Sequence, residues 1–256
     1  MKKISGFLNR CDINRFRAVM QIAALAVIIY GGMAAIDLGS RLPTFSCPFN
    51  ETSCGSCYLY GFQHQMTIPA KQIKSRRGLG ILTGLITFGL MAILLHKSWC
   101  GFLCPLGTIQ DLITRLRKKL GVRYATYSEK TFNRLSKIKY ILLVLLILIP
   151  LGIGNSLLGL PKLSHDFATP YCMICPGRTV LPLLTLDGRQ LAIDFSSSTK
   201  MILTTLGMMI TGVFLAGAFV KKRFFCLFCP MSALLHLFSK GALLRLNKDG
   251  DKCTRC

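Results

Sequence analysis

Cysteine is the residue type that offers chemistry in this chain. There are 12 cysteines among 256 residues, and all but Cys11 fall into five short-range clusters. In chain order the clusters are Cys47/Cys54/Cys57, Cys100/Cys104, Cys172/Cys175, Cys226/Cys229 and Cys253/Cys256. Thiols at such spacings bind metal ions or iron–sulfur clusters, and in an oxidising compartment they form disulfides. The structural elements that position each group of cysteines therefore decide which of these reactions the group can carry out.

The cysteine clusters repeat along the chain. The offset is 118, 126 and 125 residues for the pairs Cys54/Cys172, Cys100/Cys226 and Cys104/Cys229. A steady internal offset indicates a tandem duplication. It predicts two half-repeats, residues 1–120 and 121–245, each with two helical spans and two cysteine pairs, followed by a short segment at 246–256.

Four apolar runs stand between the cysteine clusters. They are Ala18–Leu38, Gly78–Leu95, Tyr140–Leu160 and Met201–Val220, in a chain with 52% apolar residues, 16% charged residues and a mean hydropathy of +0.49. This composition excludes disorder, and each run is about long enough to cross a hydrocarbon layer of roughly 30 Å. We predict an all-α membrane protein with four transmembrane helices in two pseudo-symmetric pairs.

The strongly positive charge fits the same topology. The formal net charge is +22, from 32 Lys and Arg against 10 Asp and Glu. Segments alternate across the four spans so that 23 of the basic residues lie on one side and 9 on the other. The positive-inside rule then predicts a multi-pass protein of the cytoplasmic membrane with both termini cytoplasmic. The basic residues crowd the ends of the apolar runs and are not interleaved with aromatics, which argues against nucleic-acid binding.

This topology divides eight cysteines into two sets of four. The inner set follows spans two and four on the cytoplasmic side and comprises Cys100, Cys104, Cys226 and Cys229. The outer set lies in the loops on the other side and comprises Cys54, Cys57, Cys172 and Cys175, with Cys47 as a spare ligand. In each set, two cysteines from each half would meet near a pseudo-two-fold axis and supply the four thiolates that a 4Fe-4S cluster needs. We expect one cluster at the inner set and a second at the outer set.

Each inner motif ends in a Cys-Pro pair, at Pro105 and Pro230. Proline lacks the N–H group that a first helical position leaves unpaired, so we predict that an interfacial helix begins at each of them. The N-termini of both helices would direct N–H groups at an anionic cluster. Two alternatives stay open on these residues, namely zinc at the inner set and disulfides within the outer set.

The inner motifs resemble those of a known family. The stretches WCGFLCPLG at 99–107 and FCLFCPMSALL at 225–235 are similar to the paired motifs of NapH, NosR and CcoG-type polytopic membrane ferredoxins. The likeness in layout extends over residues 17–256. It implies a 4Fe-4S electron-transfer subunit that works with partner redox proteins. It also implies that Cys253 and Cys256 begin a ferredoxin ligand run, which is either continued in a longer chain or vestigial. The outer cysteine pairs are not part of the simpler NapH pattern.

We therefore predict a membrane subunit that relays single electrons between a cytoplasmic or quinol donor and a partner redox protein. No nucleophile–base pair or carboxylate dyad stands out, so the chain is expected to conduct electrons and not to catalyse a reaction itself. Two other functions stay open, a quinone-coupled thiol–disulfide oxidoreductase and a metal transport or assembly factor. The relay has one difficulty, because clusters at opposite surfaces of a roughly 30 Å layer are too far apart for one efficient electron hop. Either the outer loops dip inward, or a cofactor of a partner protein bridges the gap.

Overall fold

The computed structural model describes residues 13–30, 57–59, 61, 63, 76–123, 125, 128–154, 170–188 and 191–241. Its elements are helices, which confirms the helical class. They are α1 (Ile13–Tyr30), α2 (Arg76–Ser98), α3 (Pro105–Lys119), α4 (Glu129–Gly154), α5 (Pro170–Ile174), α6 (Pro176–Leu184), α7 (Ser198–Val220) and α8 (Pro230–Leu237). A π-helical turn at Trp99–Leu103 precedes α3, and 3-10 turns at Phe224–Leu227 and Phe238–Gly241 flank α8.

Three stretches of the described chain are long and apolar enough to cross a membrane, judged by length and composition. They are Leu82–Lys119, Lys130–Ile153 and Ser198–Val220. Large apolar side chains on these helices stay exposed, among them Ile86, Ile141 and Met209. A water-soluble domain rarely exposes so much contiguous apolar surface, and a lipid layer would cover it. These three stretches overlap the predicted spans two, three and four, and the first of them extends beyond the predicted span through α3.

The first predicted span, Ala18–Leu38, is helical as far as Tyr30, where α1 ends. Residues 31–38 lie outside the described part of the chain. The helix starts with two basic residues, Arg15 and Arg17, before its apolar run begins. A fourth membrane-spanning helix therefore stays a prediction.

The short helices that follow the inner cysteine pairs pack against both halves of the chain. One buried cluster joins Tyr58 and Phe88 of the first half to Met231 and Leu235 of α8. The other joins Val180 of α6 and Phe214 of α7 to residues of α3, including Leu106 and Ile109. Helix α8 also contacts α4 of its own half, and α3 contacts α1 of its own half.

Helix α3 is held more deeply than an interfacial helix would be. Its side chains from Pro105 to Asp111 are buried, and so is Arg117. The Arg117 guanidinium donates hydrogen bonds to the backbone oxygens of Phe219 (2.8 Å) and Val220 (3.0 Å), at the C-terminal end of α7. A cation at this position pairs with carbonyl groups that the helix leaves unsatisfied and with the negative end of its dipole. Leu112 and Leu116 remain exposed on the opposite face.

Helix α5 lies directly against the backbone of α7. A Cβ atom added at Gly207 would lie only 2.7 Å from the backbone oxygen of Met173. Gly207 is near the middle of α7, and it is the absence of a side chain there that lets α5 approach. This contact places the segment with Cys172 and Cys175 beside the middle of an apolar helix.

Candidate metal centre

The first inner motif is formed by the end of α2 and the start of α3. The chain passes through the π-helical turn, in which the Cys104 N–H donates to the Trp99 oxygen at 2.9 Å. Cys104 then takes an extended conformation (φ −68°, ψ 118°) as the N-cap of α3, with Pro105 as the first helical residue. Its oxygen accepts bonds from the Thr108 N–H (3.0 Å) and hydroxyl (3.1 Å). The predicted helix start at Pro105 is confirmed.

The second inner motif repeats this geometry with a different turn. Cys229 has φ −66° and ψ 117°, and Pro230 opens α8, so the second predicted helix start is also confirmed. The Cys229 N–H donates to the Phe225 oxygen at 3.0 Å across the 3-10 turn. Two cysteines that are 125 residues apart thus share one backbone conformation and one place at a helix N-terminus.

The structure brings the four cysteines of the inner set together. Cys100 interacts electrostatically with the other three members of the set, and Cys104 interacts with Cys226 and Cys229. Burial raises the pKa of Cys226 to about 11, with Arg223 opposing the rise and the neighbouring Cys229 adding to it. Burial likewise raises the pKa of Cys229 above its ordinary value. All four thiols are free and only partly exposed to solvent.

Hydrogen-bond donors converge on these sulfur atoms. The Cys104 sulfur accepts backbone N–H groups of Leu106 and Gly107, and the Cys229 sulfur accepts those of Met231 and Ser232. Such donors at a helix N-terminus stabilise thiolates and other anions. The arrangement of donors therefore fits an anionic centre with thiolate ligands.

A buried glutamine, which the sequence motifs did not reveal, also reaches the inner set. The Gln110 amide Nε2 lies 3.7 Å from the Cys226 Sγ atom, and its Oε1 atom accepts the Phe225 N–H at 3.1 Å. Gln110 thereby connects α3 of the first half to the turn that carries the second inner motif. A polar residue between Ile109 and the leucines of α3 was the available signal in the sequence.

Asp111 was missed as well, whereas the basic run Lys221–Arg223 was expected to mark topology and to soften the negative charge of a cluster. Arg223 donates to both carboxylate oxygens of Asp111, from Nε at 3.2 Å and from Nη2 at 2.8 Å. Asp111 also accepts bonds from Gln21 and Arg17 of α1. A single acidic residue in a helix rich in Lys and Arg was the available signal for this network.

The described members of the outer set adjoin the inner set. Cys175 interacts electrostatically with Cys57 and with Cys229. The Tyr171 hydroxyl lies 4.0 Å from the Cys229 Sγ atom and hydrogen-bonds with Cys175. The expectation that the two sets would be separated by the thickness of a bilayer does not hold for these residues, because α5 packs against the middle of α7. Cys172 is on α5, while Cys54, Cys47, Cys253 and Cys256 lie outside the described residues.

A third Cys-Pro pair opens a helix in the outer set. Cys175 (φ −70°, ψ 127°) is the N-cap of α6, Pro176 is its first residue, and the Arg178 N–H donates to the Cys175 oxygen at 3.0 Å. Burial raises the pKa of Cys175 to about 12. The same dipeptide as in the inner motifs was the signal that could have predicted this helix.

Among the described residues, no group of three or more His, Cys, Asp or Glu side chains is arranged to hold a single metal ion. Four thiols form a donor set that both a zinc ion and a 4Fe-4S cluster accept.

Comparison with known proteins agrees with this chemistry. A family model described as a 4Fe-4S binding domain matches the chain twice, at residues 77–123 and 203–248. Each match contains one inner cysteine pair. The ferredoxin-type protein NapH of Escherichia coli strain K12 is 28% identical over 178 residues, which cover 68% of this chain and 50% of NapH. The regulatory protein NosR of Pseudomonas aeruginosa is 25% identical over 172 residues, covering 66% of this chain and 20% of NosR.

With two matches to a 4Fe-4S binding domain, the chain is similar to the NapH/NosR-type membrane ferredoxins. An uncharacterized protein of Methanocaldococcus jannaschii is also similar, with 25% identity over 179 residues, 69% of this chain and 62% of that protein. The chain spans about half the length of the Methanocaldococcus jannaschii relatives and of NapH, and a fifth of NosR. No solved structure matches it significantly. These matches support a 4Fe-4S cofactor.

Proposed function

We propose that this chain is an integral-membrane electron-transfer subunit, in which the inner set holds a 4Fe-4S cluster. The observation that carries the proposal is the convergence of the four thiols of the inner set from two halves of the chain, with helix N-termini directed at them. The chemistry that such a cluster supplies is one-electron transfer. The chain supplies the ligands, the hydrogen bonds to sulfur and a buried environment.

We further propose that the two halves, 1–120 and 121–245, are related by a pseudo-two-fold axis. Buried residues outside the cysteine motifs support this relation. Phe88 and Phe214 are 126 residues apart and are 3% and 1% exposed, and Ala92 and Ala218 have the same spacing and are both fully buried. The inner set shows the same offset, so its ligands come equally from both halves.

The outer set is proposed to hold a second cluster, with Cys54, Cys57, Cys172 and Cys175 as ligands. Support comes from the contacts of Cys175 with Cys57 and from the helix that begins at Pro176. Because Tyr171 lies between Cys175 and Cys229, an electron would pass between adjacent sites and not across a whole bilayer. This placement supports a short electron hop between the two proposed clusters.

We propose a quinol as one electron donor, and a partner redox protein as the acceptor. A cavity of about 320 Å³ lies beside Tyr171 and Cys175, with walls formed by α4 and α7 residues such as Leu146 and Phe214. Its walls are apolar, which suits a quinone ring or its isoprenoid tail. Val213→Trp should fill this cavity. It should slow reduction by a quinol while leaving reduction by dithionite unchanged, and equal quinol rates would exclude this cavity.

The cluster content of the purified chain tests the whole proposal. Anaerobically purified protein should carry about eight iron and eight acid-labile sulfide per chain if both sets are occupied, and about four of each if only the inner set is. The visible iron–sulfur absorption should bleach with dithionite. A colourless protein would instead favour a thiol–disulfide oxidoreductase, and stoichiometric zinc would contradict the cluster assignment.

A further inference from the structure

A buried charge network adjoins the inner set. Asp111 has a side chain that is 9% exposed, and it accepts hydrogen bonds from both Arg223 and Arg17. The Gln21 amide adds a bond of 2.8 Å to the same carboxylate. One carboxylate and two guanidinium groups leave the network with a net positive charge beside the cysteines. Burying unbalanced charge is unfavourable unless another anion is present to balance it.

The network is attached to both inner motifs through the backbone. Arg223 Nη2 and Gln21 Nε2 lie 3.5 Å and 2.9 Å from the oxygen of Gly101, which directly follows Cys100. The Arg223 oxygen accepts the Cys226 N–H at 3.2 Å. The guanidinium also interacts electrostatically with Cys100, Cys104 and Cys226. It therefore lies against ligands from both halves of the chain.

Arg223 adopts a backbone conformation that arginine rarely takes. Its φ of 51° and ψ of 39° are in the left-handed region, which disfavours residues with a Cβ atom. The paired bonds to Asp111 hold the residue in this conformation. Unfavourable backbone geometry that is retained by a specific polar pair is a feature of functional sites.

We propose that Arg223, positioned by Asp111, raises the reduction potential of the cluster at the inner set. The inference rests on the proposed function, since it requires a cluster at those four cysteines. One-electron reduction adds one negative charge to the cluster, and a fixed positive charge nearby stabilises the reduced form over the oxidised form. Asp111 partly offsets that charge and also fixes the guanidinium in place, so the two residues act on the potential in opposite directions.

A potentiometric titration of the purified full chain tests this inference. The paramagnetic resonance signal of the reduced inner cluster is followed while dithionite is added. Arg223→Gln should shift the equilibrium about tenfold toward the oxidised form, which corresponds to a potential lower by about 59 mV for one electron. Arg223→Lys keeps the charge and should restore most of the wild-type potential. Asp111→Asn removes a negative charge and should shift the potential upward.

Arg115→Gln is the matched control, because Arg115 lies on the exposed face of α3 and its loss should leave the potential unchanged. Opposite shifts in Arg223→Gln and Asp111→Asn support a charge effect, since a general loss of structure would not produce them. An unchanged potential in either variant, or shifts of the same sign, would overturn the inference. If Arg223→Gln loses its cluster, the direction of the potential shift in Asp111→Asn tests the inference, and a shift that is not upward would overturn it. A wild-type chain without a reducible cluster would refute the proposed function instead.

Discussion

The variant Gly207→Ala tests how closely α5 packs against α7. The added Cβ would lie 2.7 Å from the Met173 oxygen and 3.6 Å from the Ile174 Cα atom. An unstrained carbon–oxygen contact is about 3.3 Å or longer, so the backbone of α5 must move by roughly 0.6 Å. Met173 directly follows Cys172, and the displacement would therefore pass to the outer set.

The expected cost follows from two opposing effects. Overpacking of this kind destabilises a fold by about 1–3 kcal/mol, while replacing a helical glycine by alanine returns about 1 kcal/mol. Gly212→Ala in the same helix is the control, because its Cβ would have no neighbour within 4 Å and only the favourable effect applies. The two variants should differ by about 2 kcal/mol, or roughly 4–8 °C in melting temperature.

Thermal unfolding in one detergent measures this difference, and iron analysis shows which set is affected. Gly207→Ala should melt below Gly212→Ala and should lose iron from the outer set before the inner set. Equal melting temperatures and equal iron contents in the two variants would refute the close packing of α5 on α7. They would also remove the argument that the two cysteine sets adjoin.

The remaining predictions concern the sharing of ligands between the two halves, the hydrogen bond of Gln110 and the topology. Cys104→Ser and Cys229→Ser should abolish the same paramagnetic resonance signal, and the double variant should lose little iron beyond either single variant. Cys57→Ser should remove a separate signal. If Cys104→Ser and Cys229→Ser abolish two distinct signals, each half holds its own cluster. Gln110→Leu should cost about 1 kcal/mol, measured as a lower melting temperature, because the part-buried Phe225 N–H loses its acceptor. An unchanged melting temperature would contradict this role. A reporter fused after Lys119 should give a cytoplasmic signal, and a reporter inserted near Arg189 should give an external signal. Reversed signals would invert the orientation that was predicted from 23 basic residues on one side and 9 on the other.

The repeat gives the glutamine experiment a built-in comparison. Gln110 and Leu235 are 125 residues apart, the offset of the Cys-Pro motifs, and both are fully buried. The second half therefore accepts a leucine at the matching position of α8. A leucine at position 110 should consequently fit in shape, so that its cost reports the lost hydrogen bonds and not a steric clash.

The amino-acid sequence alone determined the features that depend on neighbouring residues. Apolar runs of sufficient length predicted three of the helices, because backbone groups in such runs are satisfied only within the helix. The Cys-Pro pairs predicted helix starts at Pro105 and Pro230, since proline restricts φ and needs no hydrogen-bond partner at that position. The repeat offset also predicted which cysteines of the two halves form the inner set.

Only the tertiary structure decided how far each segment lies from the others. Hydropathy assigns a loop to one side of a membrane but carries no information on depth, so it could not show that α5 reaches the middle of α7. That depth depends on the absence of a side chain at Gly207, a contact between residues 34 positions apart. The network of Asp111 with Arg223 and Arg17 was equally inaccessible, because charge pairing depends on distances in space and these residues are 94 or more positions apart.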